Sequence, residues 1–254
     1  MRYVSFASGS SGNCGLILGG GVSLLVDAGI SMKRIRACLA DEGLELRDLD
    51  GILVTHEHSD HVSGLGMLGK YSALPMYMSG GTARALMRGG KCTGQTMITL
   101  TAGEPLCLGE LRITAFETSH DAAEPFGYRV DGEEGAMAIV TDLGYAPRSV
   151  REAIAGCVAA VVEANYDLDM LRGGPYPLNL KRRIQGNYGH LENEDAAELC
   201  AFLAENGAEK LMLAHLSKET NLPGLARETV SRRLGGDVCL QVAPRESRSA
   251  ELEF

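Results

Sequence analysis

Residues 52–65 read ILVTHEHSDHVSGL, and the fold turns on how this stretch is interpreted. Ile52, Leu53 and Val54 form an apolar run with the character of a buried strand. The run stops, and five titratable groups follow within six residues: His56, Glu57, His58, Asp60 and His61. Three of the chain's six histidines sit here, so the concentration is not a by-product of composition. Along an extended backbone alternate side chains share a face, which sets His56 and His58 side by side where the chain leaves the sheet. Asp60 and His61 follow across the turn into the next helix. The pattern offers two nitrogens to one cation, and an oxygen and a nitrogen to a second close by. Imidazole and carboxylate donors suit zinc, manganese or iron. A solvated, His-rich loop is the bland alternative, but an ordered H-x-H-x-D-H after an apolar strand is far more specific than a lone histidine.

The rest of the chain supplies the frame. Its 254 residues suffice for a large α/β core, and residues 1–254 are read as one domain. A hydrophobic content of 45% and a charged content of 22% belong to a folded globular chain, not a disordered one. The longest apolar run, GLILGGGVSLLV at 15–26, is too short and too rich in glycine to span a bilayer. The opening MRYVSFASGS reads as a strand and lacks the apolar core of a signal peptide. The seven cysteines, at 14, 38, 92, 107, 157, 200 and 239, are odd in number and form no C-x-x-C pair. That usage indicates a reduced, cytoplasmic chain. The net charge of −9 argues against a surface that grips nucleic acid everywhere, and leaves room for a local basic patch.

Strand-like runs and helical patterns alternate along both halves. RYVSFA, GLILGG and VSLLVDAG are punctuated by Gly, Ser and Asn, as hairpins are. SMKRIRACLADEG reads as a helix capped by Ser31 and stopped at Gly43. DHVSGLGMLGKYSA reads as one helix after the histidine cluster. Strands dominate from Met97 to Tyr145. SVREAIAG, NEDAAELCAFLAENG and TVSRRLGG then read as helices between the strands CVAAVVEAN, KLMLAHLS and VCLQVAP. Such a pattern implies sheets inside and helices outside.

At the level of motifs the chain resembles the metallo-β-lactamase fold superfamily of hydrolases, whose signature is H-x-H-x-D-H followed by a His, an Asp and a last His at strand ends. The resemblance covers essentially the whole chain and implies an αββα sandwich with the site on one edge between the sheets. It implies roles for three further residues. His120 ends LRITAFETSH and would join His56 and His58 on a first metal. His215, in KLMLAHLS, would join Asp60 and His61 on a second. Asp142 ends AMAIVTD and would bridge the two. Two divalent ions, zinc or manganese, are the expected cofactors. Such ions lower the pKa of bound water and clamp a phosphoryl or carbonyl oxygen. They do not choose between ester, thioester, lactam and phosphodiester.

The sixth histidine bears on that choice. His190 lies in GNYGHLENED, just before a helix that Asn193 can cap. In the phosphodiesterase branch of the superfamily, which includes ribonuclease Z and cyclic-phosphate phosphodiesterases, a G-H in this position protonates the leaving oxygen or steadies the phosphate, and in ribonuclease Z-like members a strand-end Glu orients it. Here Glu163, in EANYD, is the corresponding residue. The expected catalytic groups are thus Asp60, His190 and Glu163. The alternative is a surface histidine and a structural carboxylate. The phrases ASGSSGN, EANYD, GPYP and AHLSKETN are similar to those of the YycJ/WalJ group, described as metal-dependent 5′-to-3′ DNA exonucleases or related hydrolases. Independently, Lys181, Arg182 and Arg183 just upstream of His190 suit a DNA backbone, or else form a solvated helix face. The SGSSGN loop is either a plain hairpin turn or a phosphate cradle with Asn13. The main expectation is a DNA-cleaving phosphodiesterase. A glyoxalase- or lactonase-like hydrolase of thioesters or esters, or a phosphodiesterase of small cyclic phosphates, stands as the alternative, and no membrane contact is expected. An oxidoreductase relative would need a flavin domain for which the chain has no room.

Overall fold

The computed structural model describes residues 1–90, 95–247 and 251–254. Among these, fourteen strands form two sheets of seven. The first contains β1 (Arg2–Ala7), β2 (Cys14–Gly19), β3 (Val22–Val26), β4 (Gly51–Leu53), β5 (Met76–Ser79) and β6 (Met97–Leu100) in that spatial order. The second runs from β7 (Pro105–Leu108) through β8 (Leu111–Glu117), β9 (Phe126–Gly132), β10 (Gly135–Val140), β11 (Ala159–Glu163) and β12 (Lys210–Ala214) to β13 (Cys239–Val242). The last strand, β14 (Glu251–Glu253), returns to pair with β1. Each sheet passes from antiparallel hairpins to parallel strands: β3, β4, β5 and β6 are parallel, as are β10, β11, β12 and β13.

Alternation along the strands explains the layers. In β10, Met137 and Ile139 face the other sheet while Ala136, Ala138 and Val140 face helices. In β12, Met212 and Ala214 point inward, and Leu211 and Leu213 outward. Both faces are apolar, so these segments read as unbroken hydrophobic runs, as strands covered on both sides do. Tyr3, Ile17, Leu24 and Leu53 meet Tyr128, Met137, Ile139, Val161 and Met212 between the sheets. Outside the first sheet lie α1 (Met32–Asp41), the short α2 (Ser59–Val62), α3 (Leu65–Tyr71) and α4 (Gly80–Arg88), with Ile35, Leu39, Leu65, Leu68 and Leu86 buried against it. Outside the second lie α5 (Arg148–Ile154), then α8 (Asn193–Glu205) and α9 (Pro223–Ser231), which bring Val150, Ile154, Leu199, Leu203 and Val230. Each fully buried Leu, Ile or Val contributes roughly 1.5–3 kcal/mol. The order helix, sheet, sheet, helix is the αββα sandwich that the sequence implies. Between β11 and α8, α6 (Leu168–Gly173) and α7 (Leu178–Ile184) enclose a small satellite core of Tyr166, Leu171 and Ile184.

Several local expectations need correction. The strand expected over residues 52–54 ends at Leu53, because the Asp27 carboxylate takes the Thr55 N–H at 2.8 Å and the Thr55 carbonyl turns to the Phe126 N–H of the second sheet at 2.9 Å. The helix expected over DHVSGLGMLGKYSA is two helices. It breaks where the Gly64 N–H reaches the Ala28 carbonyl at 2.8 Å, and a Cβ on Gly64 would stand 2.3 Å from the Ile30 carbonyl oxygen. Asn193 does not cap α8: Glu192 is the N-cap residue, and the buried Asn193 amide exchanges hydrogen bonds with Asn221 at 3.0 and 2.8 Å. The last helix starts earlier than TVSRRLGG suggests, with Pro223 in its first turn. Ser31 does cap α1, and Gly43 follows it with φ 72°. Cys14, Cys157 and Cys200 are buried thiols, whereas Cys92 lies outside the described residues. Among the described residues no helix is long and apolar enough to cross a membrane.

Candidate metal centre

The carboxyl ends of the parallel strands of both sheets open on one edge of the sandwich, the place where layered α/β folds collect ligands. The first sheet brings Asp27 after β3 and His56 to His61 after β4. The second brings His120 after β8, Asp142 after β10, Glu163 at the end of β11 and His215 after β12. The parallel register pairs Val140 with Val162 and Glu163 with Ala214, so the last three stand at one level. Three of the strand-end residues adopt left-handed backbone conformations: Asp27 and Asp142 with φ 59°, and His215 with φ 57°. Such conformations cost on the order of 1–3 kcal/mol for a non-glycine residue and gather at functional sites. Here they turn each side chain across the strand ends and into the crevice.

His190 arrives differently. After α7 the chain closes a tight turn in which Gly189 N–H bonds Gly186 O at 2.8 Å and His190 N–H bonds Ile184 O at 2.9 Å. A Cβ on Gly189 would lie 2.2 Å from the Ile184 carbonyl oxygen, so this G-H pair depends on its glycine.

The assembled donors form overlapping groups whose ligand atoms lie within 4.8 Å of one another: His56, His58 and His120; Asp60, His61 and His215; His56, His61 and Asp142; and Asp142, Glu163, His190 and His215. Individual edges are short. His120 Nε2 is 3.2 Å from His58 Nδ1, His215 Nε2 3.3 Å from Asp60 Oδ2, and His61 Nε2 3.4 Å from Asp142 Oδ2. A tetrahedral centre with bonds of about 2.0–2.1 Å has ligand-to-ligand edges of roughly 3.3–3.4 Å, so the donors are already spaced for an ion. Two buried atoms, His56 Nε2 and Asp142 Oδ2, have no hydrogen-bond partner. Leaving such atoms unsatisfied costs about 1–3 kcal/mol each, and more for a charged one. The residues therefore fit a divalent metal.

Outer hydrogen bonds aim these rings. Thr55 Oγ1 lies 3.0 Å from His56 Nδ1, Asp27 Oδ2 2.7 Å from His61 Nδ1, and the Gly189 carbonyl 2.9 Å from His120 Nδ1. Each contact leaves Nε2 for the crevice, the usual way a carboxylate or carbonyl orients a ligating histidine. Glu163 is fully buried and serves four groups. Oε1 receives His190 Nδ1 at 2.7 Å and His215 Nδ1 at 2.9 Å, and Oε2 accepts the backbone N–H of Leu143 and Leu191 at 3.0 and 3.3 Å.

The electrostatics tell the same story. Burial, followed by the neighbouring His61, His120 and His58, pushes the His56 imidazole well below its ordinary range, leaving a neutral ring with a free lone pair. Burial alone would lower His215, but Asp142, Asp60 and Glu163 outweigh it and raise its pKa to about 10. Burial likewise opposes ionisation of Asp60, yet hydrogen bonds from His215 and His61 hold it well below the carboxylate range. The carboxylates thus demand positive charge, which is met either by protons on imidazoles or by cations.

Over the centre lies a cleft of about 400 Å³ lined by His58, Asp60, Asp142, His190 and His215 on its floor, with Tyr176, Leu180 and Arg183 on its wall. A larger hollow, about 720 Å³ between α1 and the end of α3, holds no such cluster. Of the three basic residues expected at a substrate, only Arg183 lines the cleft. Lys181 donates to the Arg172 carbonyl at 2.6 Å, and Arg182 is exposed elsewhere. Asn13 is buried beneath the site: its Oδ1 accepts the Gly9 N–H at 2.8 Å, and its Nδ2 lies 3.0 Å from His61 Nε2 and 3.3 Å from Asp60 Oδ2. It braces the site. Asp27 and Thr55 escaped sequence reasoning. The signal for Asp27 was present in LLVDAG, which repeats the apolar-run-then-Asp pattern of IVTDLG at Asp142.

Comparison with known proteins identifies the family and the fold. The β-lactamase superfamily domain matches residues 23–216. The chain is 40% identical to exodeoxyribonuclease YycJ of Bacillus anthracis over 92% of this chain and 89% of that protein. It is 37% identical to exodeoxyribonuclease WalJ of Streptococcus pneumoniae over 92% and 88%. Among solved structures, the metallo-β-lactamase fold protein YhfI of Bacillus subtilis superposes with a TM-score of 0.77 at 19% identity, covering 98% of this chain and 99% of that one. Matches of this extent, in sequence and in fold, establish that the chain belongs to the β-lactamase superfamily.

Proposed function

We propose that this chain is a metal-dependent phosphodiester hydrolase acting on DNA, an exodeoxyribonuclease like its YycJ and WalJ relatives. His56, His58 and His120 would hold one divalent ion, Asp60, His61 and His215 another, with Asp142 between them; zinc and manganese both suit the set. Ions so held supply a water deprotonated near neutral pH and offset the charge that develops on a phosphoryl oxygen.

The chain's own residues supply the rest. Asp27, Thr55 and Asn13 keep His61, His56 and Asp60 aimed at the crevice. The single observation carrying the phosphodiesterase reading is the His190–Glu163 contact at 2.7 Å. With Nδ1 bound to a buried carboxylate, the ring turns Nε2 toward the cleft, where it would hand a proton to a leaving group. Phosphodiester cleavage expels an alkoxide, and a proton delivered from Nε2 makes it a neutral alcohol. A thioester leaving group is a far weaker base and has little need of that proton.

The test is purified protein loaded with Mn²⁺ or Zn²⁺, assayed on 5′-phosphorylated single-stranded DNA, on bis(nitrophenyl) phosphate and on a thioester. Stepwise release of nucleotides from DNA supports the reading. Rapid thioester turnover with inert DNA overturns it in favour of the ester and thioester hydrolases.

A further inference from the structure

Three features around Asp121 belong to no step above. Asp121 directly follows His120. Its carboxylate grips Arg183 through two parallel contacts, Nε to Oδ2 at 2.5 Å and Nη2 to Oδ1 at 3.0 Å. Its backbone N–H donates to the carbonyl of Tyr188 at 3.0 Å. One residue therefore ties the wall of the cleft, the loop before His190 and the His120 turn into a single piece.

Each tied residue carries an unused recognition group. A guanidinium has five N–H donors, and Asp121 occupies only the Nε/Nη2 edge, leaving Nη1 for a ligand. Arg183, Leu180 and Ile184 line the cleft together, spaced as neighbours on one helix face. Tyr188 is 66% exposed, two residues from His190. A large aromatic ring left to solvent forgoes about the burial energy of a core side chain, and the Tyr188 backbone carbonyl holds it to the turn that follows His120. The loop that carries it is braced from below: Gly144 packs so closely that a Cβ there would meet the Gly186 carbonyl oxygen at 2.3 Å.

We infer that Arg183 and Tyr188 form a nucleotide subsite beside the cleaved bond, Arg183 binding a backbone phosphate and Tyr188 stacking on a base, with Asp121 as the positioning residue for both. The inference rests on the DNA-hydrolase reading above and names what that reading lacks, the groups that distinguish a polynucleotide from a small phosphodiester. An aromatic platform with a nearby cation is the standard chemistry of single-strand recognition and is tolerant of base sequence.

The experiment compares KM and kcat on a single-stranded 5′-phosphorylated oligonucleotide and on bis(nitrophenyl) phosphate, with metal content measured for every variant. Tyr188→Ala is expected to raise KM for the oligonucleotide by roughly 5- to 100-fold, the scale of one lost base–aromatic stack, while Tyr188→Phe restores most of it. Arg183→Gln raises the same KM and flattens its salt dependence by about one counterion. Asp121→Asn shows a milder rise in KM with kcat and metals retained. In all cases the loss on bis(nitrophenyl) phosphate is at least tenfold smaller. The chain contains no tryptophan, so Tyr188→Trp makes a single-tryptophan protein whose fluorescence an oligonucleotide should quench. Equal losses on both substrates, or no quenching by an oligonucleotide that is still digested, would overturn the subsite and leave the nuclease reading standing. Wild-type protein inert on DNA overturns the nuclease reading and the subsite together.

Discussion

The wall of the crevice contributed by the first sheet carries His56, His58, Asp60 and His61 on six consecutive residues. The wall contributed by the second sheet draws His120, Asp142, Glu163, His190 and His215 from five separate strand and loop ends. The first wall is a local object: once β4 ends, turn geometry fixes the spacing of its side chains, and Asp27, Thr55 and Asn13 hold them from beneath. The second exists only when β10, β11 and β12 are paired in register, and one buried carboxylate, Glu163, joins two of its histidines. Compactness in sequence and dependence on tertiary structure are thus divided between two halves of one site.

The largest effect should come where the walls meet. Asp142 lies 3.4 Å from His61 on the first wall and 3.3 Å from His215 on the second. Asp142→Ala is expected to lose at least one equivalent of metal by elemental analysis and to fall to near-background hydrolysis. A variant with full metal content and wild-type rate would remove Asp142 from the centre.

Next is the second wall alone. His190→Ala should keep its metals yet lose roughly 10²–10⁴-fold in rate on DNA, the range for general acid catalysis, and much less on a nitrophenyl ester, whose leaving group needs little protonation. Metal loss in this variant would make His190 a ligand instead. Glu163→Gln touches both His190 and His215, so it should combine a smaller rate loss with weakened metal binding. Intact metal affinity in Glu163→Gln would show that its contact with His215 does not matter for the centre.

The matching test on the first wall is Asp27→Asn, which keeps shape and removes the charge that orients His61. Outer partners of this kind are worth about 10–100-fold in metal affinity, so activity should return at raised metal concentration. Failure to recover at saturating metal would assign Asp27 a role beyond orienting the ring.

The smallest effect concerns the brace between loops. Gly144→Ala puts a methyl against the Gly186 carbonyl and should destabilise the fold by about 1–3 kcal/mol, the scale of overpacking. It should also shift the His190 loop, giving a rate loss smaller than that of His190→Ala. Unchanged melting temperature and rate would show that the loop gives way freely.

Most of the candidate site residues were readable along the chain, but for unlike reasons. His56 to His61 form a short pattern whose geometry is local. His120, Asp142 and His215 follow apolar runs, and only their order along the chain set them apart from ordinary strand-end residues. Lys181, Arg182 and Arg183 read as one basic cluster, yet helix periodicity turns only Arg183 to the cleft. Asn13 read as a ligand for phosphate because a Gly/Ser loop carried it. The hairpin folds that loop beneath the metal residues, where the amide meets Asp60 and His61. Asn193 read as a cap because its neighbours suit a helix start, whereas the buried amide of Asn221 claims its side chain instead.

What the sequence determined by itself is the layered α/β architecture and the local cluster of candidate donors from His56 to His61, since hydrophobic periodicity and short-range spacing are properties of consecutive residues; His120, Asp142 and His215 were candidates only through the family resemblance. What only the tertiary structure decided is which polar side chains support those donors and which face the substrate. Asp27 reaches His61 because β3 and β4 lie side by side. Glu163 reaches two histidines because β11 lies next to β12 and beneath the His190 loop. Asp121 meets Arg183 and Tyr188 because the turn after β8 packs against the loop after α7. Hydrogen bonds of this kind form between residues far apart in sequence. Their partners are chosen by strand order and register, quantities that no local pattern encodes.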